Sequence, residues 1–180
     1  DNIASGDDML LMHKIYKLHP HKVMFVKSRE AIVQTAPVNS VRDFLNQRIR
    51  WASKADKYDD KRIFAVLLLV YLVNVLLFLV YVVNVLLLAL PFAAIFIKTA
   101  FSISLYPFTI VFTILELWAF LLIIKTIAEL IFLMPVSKFF GKRSMLWLFP
   151  LMQPFHILYT VIAGCLGKFG SYNWKERKVK

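Results

Sequence analysis

The residues with most capacity for chemistry lie in two short stretches, "SGDD" at positions 5–8 and "QRIRW" at 47–51. Asp7 and Asp8 put two carboxylates side by side, and a carboxylate can take a proton from an attacking hydroxyl. Asp8 can equally cap a helix that starts at Ser5, three residues before it. Gln47, Arg50 and Trp51 are three and four residues apart, so on a helix they project from one face, with Arg48 beside them. A guanidinium, an amide and an indole on one patch can grip a diphosphate and stack a sugar ring. The competing reading is a basic juxtamembrane helix with an interfacial tryptophan, which the same residues fit.

The elements that must position these residues follow from local signals. Ser40 followed by Asp43 is a capping box, and Val41, Leu45, Ile49 and Ala52 form the apolar stripe of a helix. The spacing of Leu10, Leu11 and Ile15 predicts an earlier helix, followed by a turn at His19–His21. "KVMFV" and "AIVQT", on either side of "KSRE", predict a short β-hairpin or two neighbouring strands. His13, His19 and His21 have no cysteine or carboxylate at ligand spacing and read as surface histidines.

Beyond residue 62 the character changes. The 180 residues are 59% hydrophobic, and Ile63 to Ile97 contains no charged residue, so the chain reads as an integral membrane protein. Apolar runs at 63–90, 108–134 and 146–166 predict about three transmembrane helices, with Pro91 and Pro107 as punctuation. "PVSKFFGKRS" at 135–144 predicts an interfacial amphipathic connector. The formal net charge is +11. The basic excess flanks the apolar block: residues 1–62 hold 12 Lys/Arg against 8 Asp/Glu, and residues 135–180 hold 8 against 1. This is the pattern of segments at a cytoplasmic membrane face, with membrane lipids as partners. No basic patch stands clear of the apolar segments, which argues against nucleic acid. Three spans would put the basic tail opposite the N-terminal segment, so either the proline-broken third segment is re-entrant or the 63–134 block holds an extra crossing. The single cysteine, Cys165, excludes a disulfide framework.

Inside the apolar block, Glu116, Lys125, Glu129 and His156 are polar and read as groups satisfied between helices. "VYLVNVLL" at 70–77 and "VYVVNVLL" at 80–87 repeat at a ten-residue offset, which on a helix gives the copies different faces. Asn74 and Asn84 within them could join this helix to neighbours.

Taken together, "SGDD", the roughly forty residues after it, "QRIRW" and a membrane helix directly downstream resemble the processive, membrane-embedded family 2 glycosyltransferases. That group includes the cellulose, hyaluronan and poly-N-acetylglucosamine synthases. "QRIRW" matches the group's Q-(Q/R)-x-R-W motif at every position. "GDD" stands where many members have T-E-D, so Gly6 and Asp7 depart from the common triplet. The closing segment "LWLFPLMQPFHILYTVIAGCLGKFGSYNWKERKVK" is similar to Bacteroidetes-type bacterial members.

The resemblance implies a mainly α membrane protein. Residues 1–62 would be the C-terminal part of a GT-A α/β domain, and residues 63–180 a transmembrane region with a basic tail. It implies inverting transfer of a sugar from a nucleotide-sugar donor, such as a UDP-sugar, to a glycan or lipid acceptor. Asp8 would be the general base, with Asp7, Gln47, Arg48, Arg50 and Trp51 binding substrate. It also implies a divalent metal, Mg or Mn, with ligands outside these residues, since no upstream stretch carries the early Asp and D-x-D of the nucleotide half. The fragment alone is then expected to be inactive. The location implied is the bacterial inner membrane, multi-pass, with the catalytic part cytoplasmic. The alternative is a non-enzymatic scaffold or transporter subunit.

Overall fold

A computed structural model describes residues 7–96, 106–174 and 177–179. It is mainly helical: α1 Asp7–Leu18, α2 Val41–Ala52, α3 Lys61–Phe96, α4 Tyr106–Phe139 and α5 Gln153–Phe169. A two-stranded antiparallel sheet, β1 Tyr172–Trp174 with β2 Arg177–Val179, follows α5. The chain divides into two compact units, Asp1–Leu72 with Leu158–Lys180, and Val73–Ile157.

In the first unit, α2 starts as its capping box dictates. The Ser40 hydroxyl oxygen accepts from the Asp43 backbone N–H at 3.0 Å. The hydroxyl itself donates to the Asp43 carboxylate at 2.6 Å, so the return bond runs between side chains. The expected apolar stripe packs from Leu45 to Ala52, whereas Val41 at its start is 76% exposed. Ile49, Ala163 of α5 and Tyr172 of β1 form a small core with Ala52 against it.

Small residues allow this approach. A Cβ on Gly167 would come within 2.9 Å of the Ser53 backbone nitrogen, and one on Gly164 would overlap the Tyr71 ring of α3. Ala163 and Gly167 are thus a small-xxx-small pair facing α2. At the end of α5, Lys168 donates to Asp56 at 2.6 Å. That hydrogen bond, aided by the charges of Lys57 and Lys168, holds the Asp56 carboxyl below its usual value, against an opposing desolvation.

The β-hairpin expected at residues 22–35 is not formed: residues 23–28 and 32–38 are irregular around a turn. Met24, Phe25 and Val33 are more than four-fifths exposed. A lone hairpin without a further strand or helix to cover its apolar face is marginal at best. The turn at His19–His21 is present as a 3₁₀ segment, Pro20–Lys22. Ser5, the expected cap of α1, lies outside the described residues.

In the second unit, Asn74 and Asn84 are both buried, with Leu77 between them. Contrary to the face argument, the two repeat copies share a stripe. Ten residues turn a helix by about 280°, which leaves the asparagines only about 80° apart the short way round. The Trp118 indole of α4 donates to the Leu77 carbonyl of α3 at 2.9 Å, and its ring packs on Tyr81.

Two proline expectations change. The helix α3 continues through Pro91 to Phe96, and α4 continues through Pro135 to Phe139. A helix in apolar surroundings has no water to satisfy a released backbone group, so it bends or adjusts rather than stopping. Pro107 falls in the first turn of α4, where its missing N–H costs nothing. The expected interfacial connector is therefore partly the end of α4. It closes in a Schellman turn: Gly141 has φ of 67°, and the Lys142 N–H reaches the Ser137 carbonyl at 2.8 Å.

Two helical stretches are long and apolar enough to cross a membrane, Lys61–Ala89 and Thr109–Phe139, and only 11% and 17% of their apolar windows are buried. Leu69, Ile131 and Phe132 are exposed to 62%, 64% and 72%, so these helices are not buried as a core within this chain. The third expected span is a 3₁₀ segment, Arg143–Leu148, then turns, then α5 with 17 residues. At about 1.5 Å per residue, α5 is shorter than a hydrocarbon core of roughly 30 Å.

Candidate functional site

The capped start of α2 opens onto a pocket of about 640 Å³. Gln47 and Arg50 line it together, with Arg42 and Asn46 from the same helix, Ser40 and Asp43 from the cap, and Val38 and Asn173 completing the wall. Arg42, Asn46 and Arg50 are four residues apart in series, so α2 presents a continuous polar edge. Asn173 belongs to β1, whose register is fixed by burial of the neighbouring Tyr172 in the core. A strand alternates its side chains, so anchoring Tyr172 turns Asn173 to the other side. The site therefore offers two guanidinium groups, three amides, a hydroxyl and one carboxylate in an open concavity. Such a set suits a ligand with anionic oxygens and several hydroxyls.

Arg48 and Trp51 are on α2 but not in this pocket. The Arg48 guanidinium carbon lies 4.8, 4.6 and 5.8 Å from the ring centroids of Phe44, Trp51 and Tyr159. Trp51 is 49% exposed, so one face of its ring carries the cation and the indole still meets solvent. The grouping expected from spacing alone, Gln47 with Arg50 and Trp51, is thus split. An aromatic ring three residues from a guanidinium stacks on it when the surroundings are apolar.

Asp8 is an exposed residue in the first turn of α1 and is not among the residues lining the pocket. Asp7 is the first residue of α1. The helix is linked to the chain after α2 by an edge contact of His13 on the Tyr58 ring at 5.3 Å. Among the described residues, no group of three or more His, Cys, Asp or Glu side chains is placed to hold a metal ion. The resemblance places the ligands of its divalent metal outside these residues.

The second unit holds a separate polar cluster. Lys125 of α4 reaches Gln153 Oε1 at 2.7 Å, Glu129 Oε1 at 2.8 Å and His156 Nδ1 at 3.2 Å. Gln153 Nε2 donates to Glu129 Oε2 at 2.7 Å, which closes the ring. An ammonium only donates, so Nδ1 of His156 is the acceptor. The pairing of Lys125 with Glu129 and a helix-to-helix role for His156 agree with their sequence spacing. Gln153 was not foreseen, although a glutamine beside Pro154 within an apolar run is itself a signal. Asn173, more than 120 positions from Gln47, had none.

No protein-family model matches the chain, and neither a curated protein nor a solved structure matches it.

Proposed function

We propose that the chain belongs to a membrane protein in which α3 and α4 cross the bilayer and α2 lies at the interface. Two crossings return residues 1–62 and 135–180 to one side. That agrees with the positive-inside tendency, since both segments are basic. In this reading α5 dips in without spanning, and the shared side is the cytoplasmic face of a bacterial inner membrane.

Within that frame, the function we propose is sugar transfer with inversion, in the manner of the family 2 glycosyltransferases. The observation that carries it is the shared pocket of Gln47 and Arg50, two positions of the "QRIRW" motif, in a wall otherwise rich in amide and hydroxyl groups. Arg50 and Arg42 would bind the diphosphate of a nucleotide-sugar donor such as a UDP-sugar, and Gln47 and Asn46 would bind sugar hydroxyls. Trp51 would stack the acceptor glycan or lipid-linked sugar on its free face, with Arg48 fixing the ring from the other. Asp8 would take the proton of the acceptor hydroxyl as its oxygen attacks the anomeric carbon. The bond from that carbon to the diphosphate breaks, and the nucleoside diphosphate leaves. The roles of Asp7 and Asp8 rest on the motif resemblance.

The test is incorporation of radiolabelled sugar by the full-length protein in membranes, across a panel of nucleotide sugars. At least one donor should be used, and Asp8→Asn should abolish transfer while donor binding persists. Undiminished turnover in Asp8→Asn would remove the base assignment. A second reading, a transporter or scaffold subunit, is favoured by the partly buried Lys125–Glu129–Gln153–His156 cluster, because ionisable groups inside a membrane commonly mark transport paths. Failure of every donor would favour it.

A further inference from the structure

The first unit contains a second cavity, of about 430 Å³, between α2, the start of α3 and the end of α5. Roughly 300–1,000 Å³ is the usual range for a bound small molecule. The wall is mostly apolar: Phe64, Leu67, Leu68 and Tyr71 of α3 face Tyr159 and Gly164 of α5. Water is a poor occupant of such a space, which offers it few hydrogen bonds. Leu67 and Leu68 are each 41% exposed and lie in the stretch long enough to span a membrane, so the cavity wall runs onto that helix's outer surface.

Two cations line the cavity, and they differ. Lys168 is neutralised by Asp56 at 2.6 Å. Arg48 has aromatic rings for neighbours and no carboxylate among the described residues, and its Nε is buried without a hydrogen-bond partner. A buried donor without an acceptor carries a cost that an anionic oxygen removes. We infer that this cavity binds an anionic phospholipid from the bilayer, with one acyl chain between α3 and α5 and its phosphate on Arg48. The inference does not depend on sugar transfer.

The full-length protein in nanodiscs is exposed to phosphatidylglycerol, or to diacylglycerol as a control without a phosphate, each carrying a diazirine in one acyl chain, and cross-links are mapped by peptide mass spectrometry. Labelling of Leu67, Leu68 and residues 159–164 should favour the anionic lipid by about tenfold, the scale of one charge-assisted hydrogen bond. Thr160→Phe, which fills the cavity, should remove that labelling while Leu69 on the outer face remains labelled. Arg48→Gln should bring the two lipids to parity, and Lys168→Gln should leave the preference in place. Equal labelling by both lipids in the wild-type protein would overturn the inference, whether or not Arg48→Gln folds. Labelling that ignores Thr160→Phe, or an anionic preference that survives Arg48→Gln, would do the same.

Discussion

Lys125 and Arg48 are both cations set among apolar side chains, and they are accommodated in opposite ways. Lys125 directs its three N–H donors at three acceptors, from Glu129, Gln153 and His156, and its side chain is 7% exposed. Arg48 is held by three aromatic rings, with a donor left over. The first arrangement is closed: every partner is supplied by the chain, and a ligand has nothing to add. The second is open, since rings offer a cation about 0.5–2 kcal/mol but accept no conventional hydrogen bond. Closed polar groups hold helices together, and open ones are where a ligand can bind.

The contrast breaks most visibly on deletion. Lys125→Met leaves Glu129 without its cation and should destabilise the protein by about 3–5 kcal/mol. Arg48→Met removes only ring contacts and should cost about 2 kcal/mol or less. Thermal unfolding of both variants in the same detergent checks this. Equal losses would mean that Arg48 is as structural as Lys125.

A smaller effect sharpens the open side. Ser40→Ala removes the cap that starts α2, the helix carrying Arg48, and should cost about 1 kcal/mol in denaturant unfolding. Ser40→Asp should recover most of it, because an aspartate also caps.

The smallest effect concerns pH. The Asp56 carboxyl is held below its ordinary value of about 3.9, so its folded-state pKa lies under the unfolded one. Its contribution to stability is complete above the unfolded value and is lost as pH falls through the folded value. Both partners are partly exposed, so the pair contributes less than about 1 kcal/mol. The stability difference between wild type and Asp56→Asn should therefore be small at pH 6, begin to shrink as pH falls past the unfolded value, and vanish only below the lower folded-state value. Once Asp56 is neutral, Lys168 joins Arg48 as an uncompensated cation beside the cavity.

Much of this was legible locally. Ser40 and Asp43 fix the start of α2, and the lack of charge from Ile63 to Ile97 fixes a long apolar helix. Lys125 and Glu129 pair because four residues bring them onto one helical face. The parts that were not legible depend on what surrounds a segment. "KVMFV" and "AIVQT" have strand-like composition, but among the described residues Met24, Phe25, Val26 and Val33 are left exposed. Pro91 and Pro135 would end a helix in water, where released backbone groups are hydrated, and apolar surroundings remove that outlet. The polar edge Arg42–Asn46–Arg50 could have been read from its spacing. Asn173 in the same pocket could not, because only the packing of Tyr172 on Ile49 brings β1 to α2.

The pocket at Gln47 and Arg50 carries the proposed function, and the most direct measurement is the rate of the proposed sugar transfer by the full-length protein with Arg50→Ala. Removing one preorganised donor from a developing negative charge costs about 10²–10³-fold in turnover. A loss of that size in kcat is expected, with α2 still folded as judged by unchanged thermal unfolding. Wild-type turnover in Arg50→Ala would contradict it.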